Sequence, residues 1–226
     1  MHSRTLDREI QRLQDDIVTL ASMVMRAIRE AVQALQLGDA AVARGLVAGD
    51  LEINRRRFTT EEDVLVLIAT QQPMADDLRV LAAVLEIVTE LERIGDYAKG
   101  IAKITLLLGT EPGLAPPVQI GRMADLALGM LSRAIDAFVR RDDEQARAIP
   151  REDDLVDDLY NAANRALLNT IIANPRLSEQ ANYYVWAAHN LERAADRVTN
   201  ICERVVFTVT GEMDELDQDP AAAALG

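Results

Sequence analysis

One stretch of this chain occurs twice. Leu91-Glu92-Arg93-Ile94-Gly95-Asp96 returns one hundred residues later as Leu191-Glu192-Arg193-Ala194-Ala195-Asp196. With that offset, segment 78–107 matches segment 178–207 at five positions: Leu91, Glu92, Arg93, Asp96 and Ile101. A repeat of this period in 226 residues points to two similar units of about a hundred residues each. Most of the unit has drifted, while a Glu-x-x-x-Asp pair and its apolar neighbours are the same in both copies. That pair is what a functional reading must explain.

Around it the pattern is helical. Ile10, Leu13, Ile17, Leu20, Val24, Ala27, Ala31 and Ala34 alternate spacings of three and four, which predicts a first helix over 3–37. Leu37-Gly38-Asp39 stops it and caps a second over 39–70, with Gly45 and Gly49 as places to bend. Gln71-Gln72-Pro73 ends that helix, and Asp76 or Asp77 caps a third reaching Leu108. Three prolines within 110–117 mark a linker. The pattern then repeats: a fourth helix over 118–140, a fifth over 142–174 that Pro150 bends or restarts, and a sixth from Ser178 to about Val209. The expectation is an all-α protein of six helices. It comprises two tandem three-helix bundles, 1–109 and 118–211, joined by the linker and followed by an acidic disordered tail over 212–226. Only 4% of residues are aromatic, and no strand pattern appears.

The net charge of −13 is spread over both halves, which argues against non-specific binding to nucleic acid or anionic lipid. A single cysteine, Cys202, excludes an internal disulfide and falls on an apolar stripe, so it reads as an inert buried thiol. No apolar run approaches a membrane span, and the N-terminus has no signal-peptide pattern; the expected location is the cytoplasm, with no direct membrane insertion. There is no Gly-rich phosphate loop, no Cys-x-x-Cys and no defensible Ser/His/Asp arrangement, so an enzyme is not expected. A di-metal carboxylate oxidase would want Glu-x-x-His pairs projecting inward, and the two histidines are not so placed.

Glu92 and Asp96 lie one turn apart on one helix face, beside the apolar row Leu85, Val88, Leu91 and Ile94. Like charges at this spacing destabilise an isolated helix by about 0.2–0.5 kcal/mol. Two copies keeping the arrangement suggests a compensating cation, and carboxylate oxygens suit hard or borderline metals. One helix offers too few ligands, so partners matter. Asp50 and Asn54 on the second helix, and Asp153 and Asp157 on the fifth, repeat the spacing and face Glu92/Asp96 and Glu192/Asp196 if the helices pair antiparallel. The second half continues its polar face through Asn200 and Glu203, where the first has Gly100 and Lys103, so the first half is poorer in ligands. The competing reading is intrahelical pairing of Arg93 with Glu90 and Asp96, and of Arg193 with Asp196, on a solvated face. His189 reads as structural or peripheral, Tyr183, Tyr184 and Trp186 as packing residues, and Arg55-Arg56-Arg57 as a local basic spot.

Gln71-Gln72-Pro73-x-x-Asp76-Asp77-Leu78-Arg79 followed by Leu91-Glu92-Arg93-Ile94-Gly95-Asp96 resembles the PhoU family of phosphate-signalling regulators. In the second half Glu152-Asp153-x-x-Val156-Asp157 and Leu191-Glu192-Arg193-x-x-Asp196-x-x-x-Asn200-Ile201-Cys202-Glu203 agree, and the resemblance covers about 5–210. It implies two three-helix bundles with metal on the carboxylate faces. The candidate ligands are Asp50, Glu92 and Asp96 in the first half and Asp153, Asp157, Glu192 and Asp196 in the second, with Asn200 and Glu203 continuing that face. The metal it implies is iron, manganese, zinc or magnesium, without a choice among them. The resemblance also implies a non-enzymatic restraint on the phosphate-starvation response, exerted through a phosphate-transporter ATPase subunit and a sensor histidine kinase. The chain departs from the family pattern where Asn54 stands for Asp157, Gly100 for Asn200, Lys103 for Glu203, and Ala194-Ala195 for Ile-Gly. Long helices with apolar seams also favour a homodimer. A metal-free structural adaptor is the alternative.

Overall fold

Pro150 restarts the fifth of the six expected helices. It has no N–H to donate and its ring clashes one turn back, so the chain passes through a 3-10 turn at Ile149–Glu152 before helix resumes. The computed structural model describes residues 2–109 and 113–216. Its helices are α1 (His2–Leu37), α2 (Ala40–Gln71), α3 (Asp76–Leu108), α4 (Val118–Arg140), α5 (Asp143–Ala148), α6 (Asp153–Ala173) and α7 (Ser178–Thr210). The expected fifth helix is thus α5 and α6 in series. There is no strand among the described residues.

The caps follow the local chemistry in part. Asp39 accepts from the N–H groups of Ala41 and Val42, and Asp142 from that of Gln145, so both satisfy orphan donors. Asp76 and Ser178 do not cap as expected: each is the first residue of its helix, and neither the Ala75 nor the Leu177 side chain caps in its place. Asp76 instead pairs with Arg79 one turn on. Gly38 ends α1 with φ +67°, a conformation that a Cβ penalises.

α1, α3, α4 and α7 form the central layer: α3 packs on α7, α1 on α4, and each on its neighbour within its own half. α2 lies outside against α1 and α3; α6 lies outside on the other flank against α4 and α7. A single hydrophobic cluster runs through both halves, from Val24, Ile87 and Leu91 to Leu131, Leu191 and Val198. The two bundles therefore share one core rather than folding around two.

α3 and α7 run antiparallel. Gly211 lies against Arg79, Asn200 bonds Glu90, Arg193 stacks on Tyr97, and Asn190 abuts Gly100. Partner numbers fall on one helix as they rise on the other, and they cross level with Gly95 and Ala195. Because those two residues are repeat equivalents, the halves are related by a pseudo-two-fold axis through the repeated motif.

The chain leaving and re-entering the bundle is pinned. Leu114 donates its N–H to Gln180 Oε1 at 2.7 Å, and the Tyr184 hydroxyl donates to the Leu114 carbonyl at 2.8 Å. Residues 110–112 of the expected linker lie outside the described residues. Of the tail, 212–216 are in coil but anchored, contrary to expectation: Leu216 packs on the core and donates to Glu203 Oε1 at 3.2 Å, and Asp214 pairs with Arg147. The rest, 217–226, lies outside the described residues. No helix among the described residues is long and apolar enough to cross a membrane.

Candidate functional site

Two faces carry the repeated carboxylates, one between α2 and α3 and the other between α6 and α7. Both pairs are antiparallel. On the first, Asp50 meets Lys99, Ile53 lies against Gly95, and Glu61 accepts from Thr89 at 3.4 Å. On the second, Asp157 acts electrostatically on Glu192, and Tyr160 meets His189 with ring centroids 6.0 Å apart. The two registers are the same under a hundred-residue shift, which corrects the sequence alignment of these flanking helices. Asp153 is the equivalent of Ile53, not of Asp50, and Asp157 is the equivalent of Arg57, not of Asn54.

The first face carries its own cations. Lys99 Nζ donates to Asp50 Oδ2 at 2.6 Å and lies 3.4 Å from Asp96 Oδ1. The Asp50 side chain is only 4% exposed and also accepts from Asn54 Nδ2 at 3.1 Å. This charge-assisted bond to Asp50 pushes the Lys99 ammonium up from its ordinary range, so it stays charged. Burial and the neighbouring Asp96 push Glu92 up, while the guanidiniums of Arg57 and Arg93 pull it back. Asp50, Glu92 and Asp96 are brought to one face, but with Lys99 and Arg57 among them. A divalent cation does not fit here, since it would meet an ammonium on Asp50.

The second face lacks those cations. Thr199 stands where Lys99 stands, and Asp157 where Arg57 stands. Glu192 is pushed up by burial, then by Asp196 and Asp157, and His189 opposes them, its Nδ1 3.1 Å from Glu192 Oε2. Asp153, 8% exposed, opens α6. The donor chemistry of Asp153, Asp157, Glu192 and Asp196 fits a hard or borderline metal. As the side chains stand, no group of three or more His, Cys, Asp or Glu among the described residues converges to hold an ion.

Asn200 leaves that face, whereas Glu203 stays on the Glu192–Asp196 stripe but is engaged further along it. Asn200 Nδ2 crosses to α3 and donates to Glu90 Oε2 at 3.1 Å, and Glu203 receives the Leu216 N–H and lies 3.5 Å from Arg204. Gly100, expected as a missing ligand, faces α7 as well: a Cβ there would lie 3.1 Å from Asn190 Oδ1, so glycine leaves room for the Asn190 side chain. Sequence reasoning missed Lys99. The signal was present in its i,i+3 spacing from Asp96.

The PhoU domain family model matches this chain twice, over 17–105 and 120–205, one match for each half. The chain is 34% identical over 210 residues to the "Phosphate-specific transport system accessory protein PhoU homolog" of Caulobacter vibrioides, covering 92% of this chain and 91% of that one. It is 31% identical to the protein of the same description in Aquifex aeolicus, covering 92% and 94%. Its fold is similar to the crystal structure of the phosphate transport system regulatory protein PhoU from Streptococcus pneumoniae. That likeness has a TM-score of 0.86 and 30% identity over 92% of this chain and 99% of that one.

Proposed function

Because the chain belongs to the PhoU family, we propose that it is a cytoplasmic, non-enzymatic regulator of phosphate uptake that restrains the phosphate-starvation response when phosphate is plentiful. The observation that carries this reading is the match, over nine-tenths of both chains, to a protein described as an accessory of a phosphate-specific transport system. Its partners, on this reading, are the transporter's ATPase subunit and a sensor histidine kinase. The chemistry agrees with a protein that acts by contact. The Cys202 thiol is fully buried and pushed up by that burial to about 12, so it is no nucleophile. His189 is engaged by Glu192 and Tyr160.

Metal, on this reading, belongs to the second face alone, where Asp153, Asp157, Glu192 and Asp196 would hold an ion that neutralises their mutual repulsion. Purified protein is expected to carry metal that Glu192→Ala with Asp196→Ala removes and Asp96→Ala does not. The regulatory reading is tested by a phosphate-starvation promoter reporter in cells lacking this protein, grown in ample phosphate. The reporter should be on, and the intact gene should silence it. A reporter that stays off without the gene overturns the proposal.

A further inference from the structure

The carboxylate faces leave the repeated arginine of the motif unexplained. Arg93 and Arg193 line, with Arg197, Tyr97 and Asp96, an open cleft of about 390 Å³ where α3 and α7 cross. Each helix contributes two residues one turn apart, Arg93 with Tyr97 and Arg193 with Arg197, and the pseudo-two-fold crossing sets them against each other. The repeat is broken where Tyr97 stands for Arg197. That break lets the Arg193 guanidinium lie over the Tyr97 ring, 5.1 Å from its centroid. Tyr97 is also within hydrogen-bonding reach of Arg197.

Glu90 forms the floor. It is 5% exposed, receives Arg93 Nη1 at 2.6 Å and Asn200 Nδ2 at 3.1 Å, and lies 3.5 Å from Arg197. One buried carboxylate thus braces two of the three guanidiniums. Each guanidinium has five N–H donors, so most of them remain for a ligand. The cleft is also lined by Asp96, which lies 3.4 Å from Lys99, and Asp196 acts electrostatically on Arg197. In a chain of net charge −13, three arginines converging from two helices form an exceptional concentration of anion donors.

We propose that this cleft binds inorganic phosphate as hydrogen phosphate. Planar guanidinium forks match a tetrahedral oxyanion, each able to give two parallel N–H···O bonds. Asp96 selects within that class. An ionised carboxylate only accepts, so it repels sulfate and phosphomonoester dianions but receives the O–H that hydrogen phosphate still carries. The ligand class follows from these donors alone; that phosphate here would be the regulatory signal rests on the regulatory reading.

Isothermal titration of the full-length protein with inorganic phosphate, sulfate and glycerol 3-phosphate tests the proposal. Saturable binding of one phosphate per chain is expected, with sulfate and the monoester weaker. Arg193→Gln should weaken phosphate at least about tenfold, as loss of a charge-assisted bond does. Asp96→Asn should bring sulfate up to phosphate. Arg93→Gln, at a half-exposed position, serves if the first variant melts early. The absence of saturable phosphate binding up to about 10 mM, or binding that neither arginine variant weakens, overturns the site. Sulfate binding as well as phosphate in the wild type overturns its assignment to phosphate. Failure of the reporter experiment leaves the titration result standing, so the two readings fail separately.

Discussion

The two carboxylate faces are built from the same repeat in the same register and solve the same electrostatic problem in opposite ways. The first brings its own cations, Lys99 and Arg57, to Asp50, Glu92 and Asp96. The second puts Thr199 and Asp157 at those places, so that Asp157 and Asp196 act on Glu192 and His189 opposes them there. Packing follows charge. Gly95 makes room for Ile53, whose Cδ1 and Cγ2 would lie 3.2 Å from any Cβ there; the shared register sets Ala195 level with the smaller Asp153. Thr199 for Lys99, Asp157 for Arg57 and Asp153 for Ile53 are thus the changes that separate an internally neutralised face from a wholly acidic one.

The largest expected effect comes from removing the internal cation. Lys99→Met strands the buried Asp50 carboxylate and should cost about 3 kcal/mol in denaturant unfolding near neutral pH. Adding Asp50→Leu should recover most of it. The equivalent change, Thr199→Val, should be neutral or slightly stabilising, because Thr199 Oγ1 is buried with no hydrogen-bond partner among the described residues. Equal losses at the two positions would mean that the faces do not differ in their counter-ions.

Glu192→Gln should stabilise the metal-free protein by about 0.5–1 kcal/mol near neutral pH. The sign follows from the upward shift: wild-type stability is fully present below the ordinary carboxyl range and declines as pH rises through the raised value. The gain should accordingly vanish on acidification. Glu92→Gln should gain less, since Arg57 and Arg93 already offset that charge. Urea titrations across pH would show whether the order is reversed.

The smallest effect separates packing from propensity. Gly95→Ala gains up to about 1 kcal/mol of helix propensity but crowds Ile53, so the net change should lie within about 1 kcal/mol of zero. In an Ile53→Ala background the same change should be clearly stabilising. Additive effects would break the link between Gly95 and Ile53.

Much of the site was legible in part. The Glu92/Asp96 and Glu192/Asp196 pairs follow from spacing along one helix, and spacing is a sequence property. Their partners were not, because they depend on how α2 and α6 slide against α3 and α7. Matching Asp50 with Asp153 by residue type chose an offset three residues away from the packed one. The hundred-residue offset of the motif, carried onto the flanking helices, would have paired Arg57 with Asp157. Asn200 and Gly100 were misplaced for a related reason: both lie on α7-to-α3 contacts, and a helix with two neighbours has two polar faces that periodicity does not tell apart.

By itself the sequence determined the helices, the turns between them, the duplication and the family, since each rests on local pattern: three-four apolar spacing, Gly38, Pro73, Pro150 and a motif written twice. The tertiary structure alone decided that the halves share one core, that Lys99 reaches Asp50 across two helices, and that the two motif arginines meet in one cleft. Those facts depend on interhelix register, and register is set by which side chains fill the space between helices, a property of the packed whole that no single segment contains.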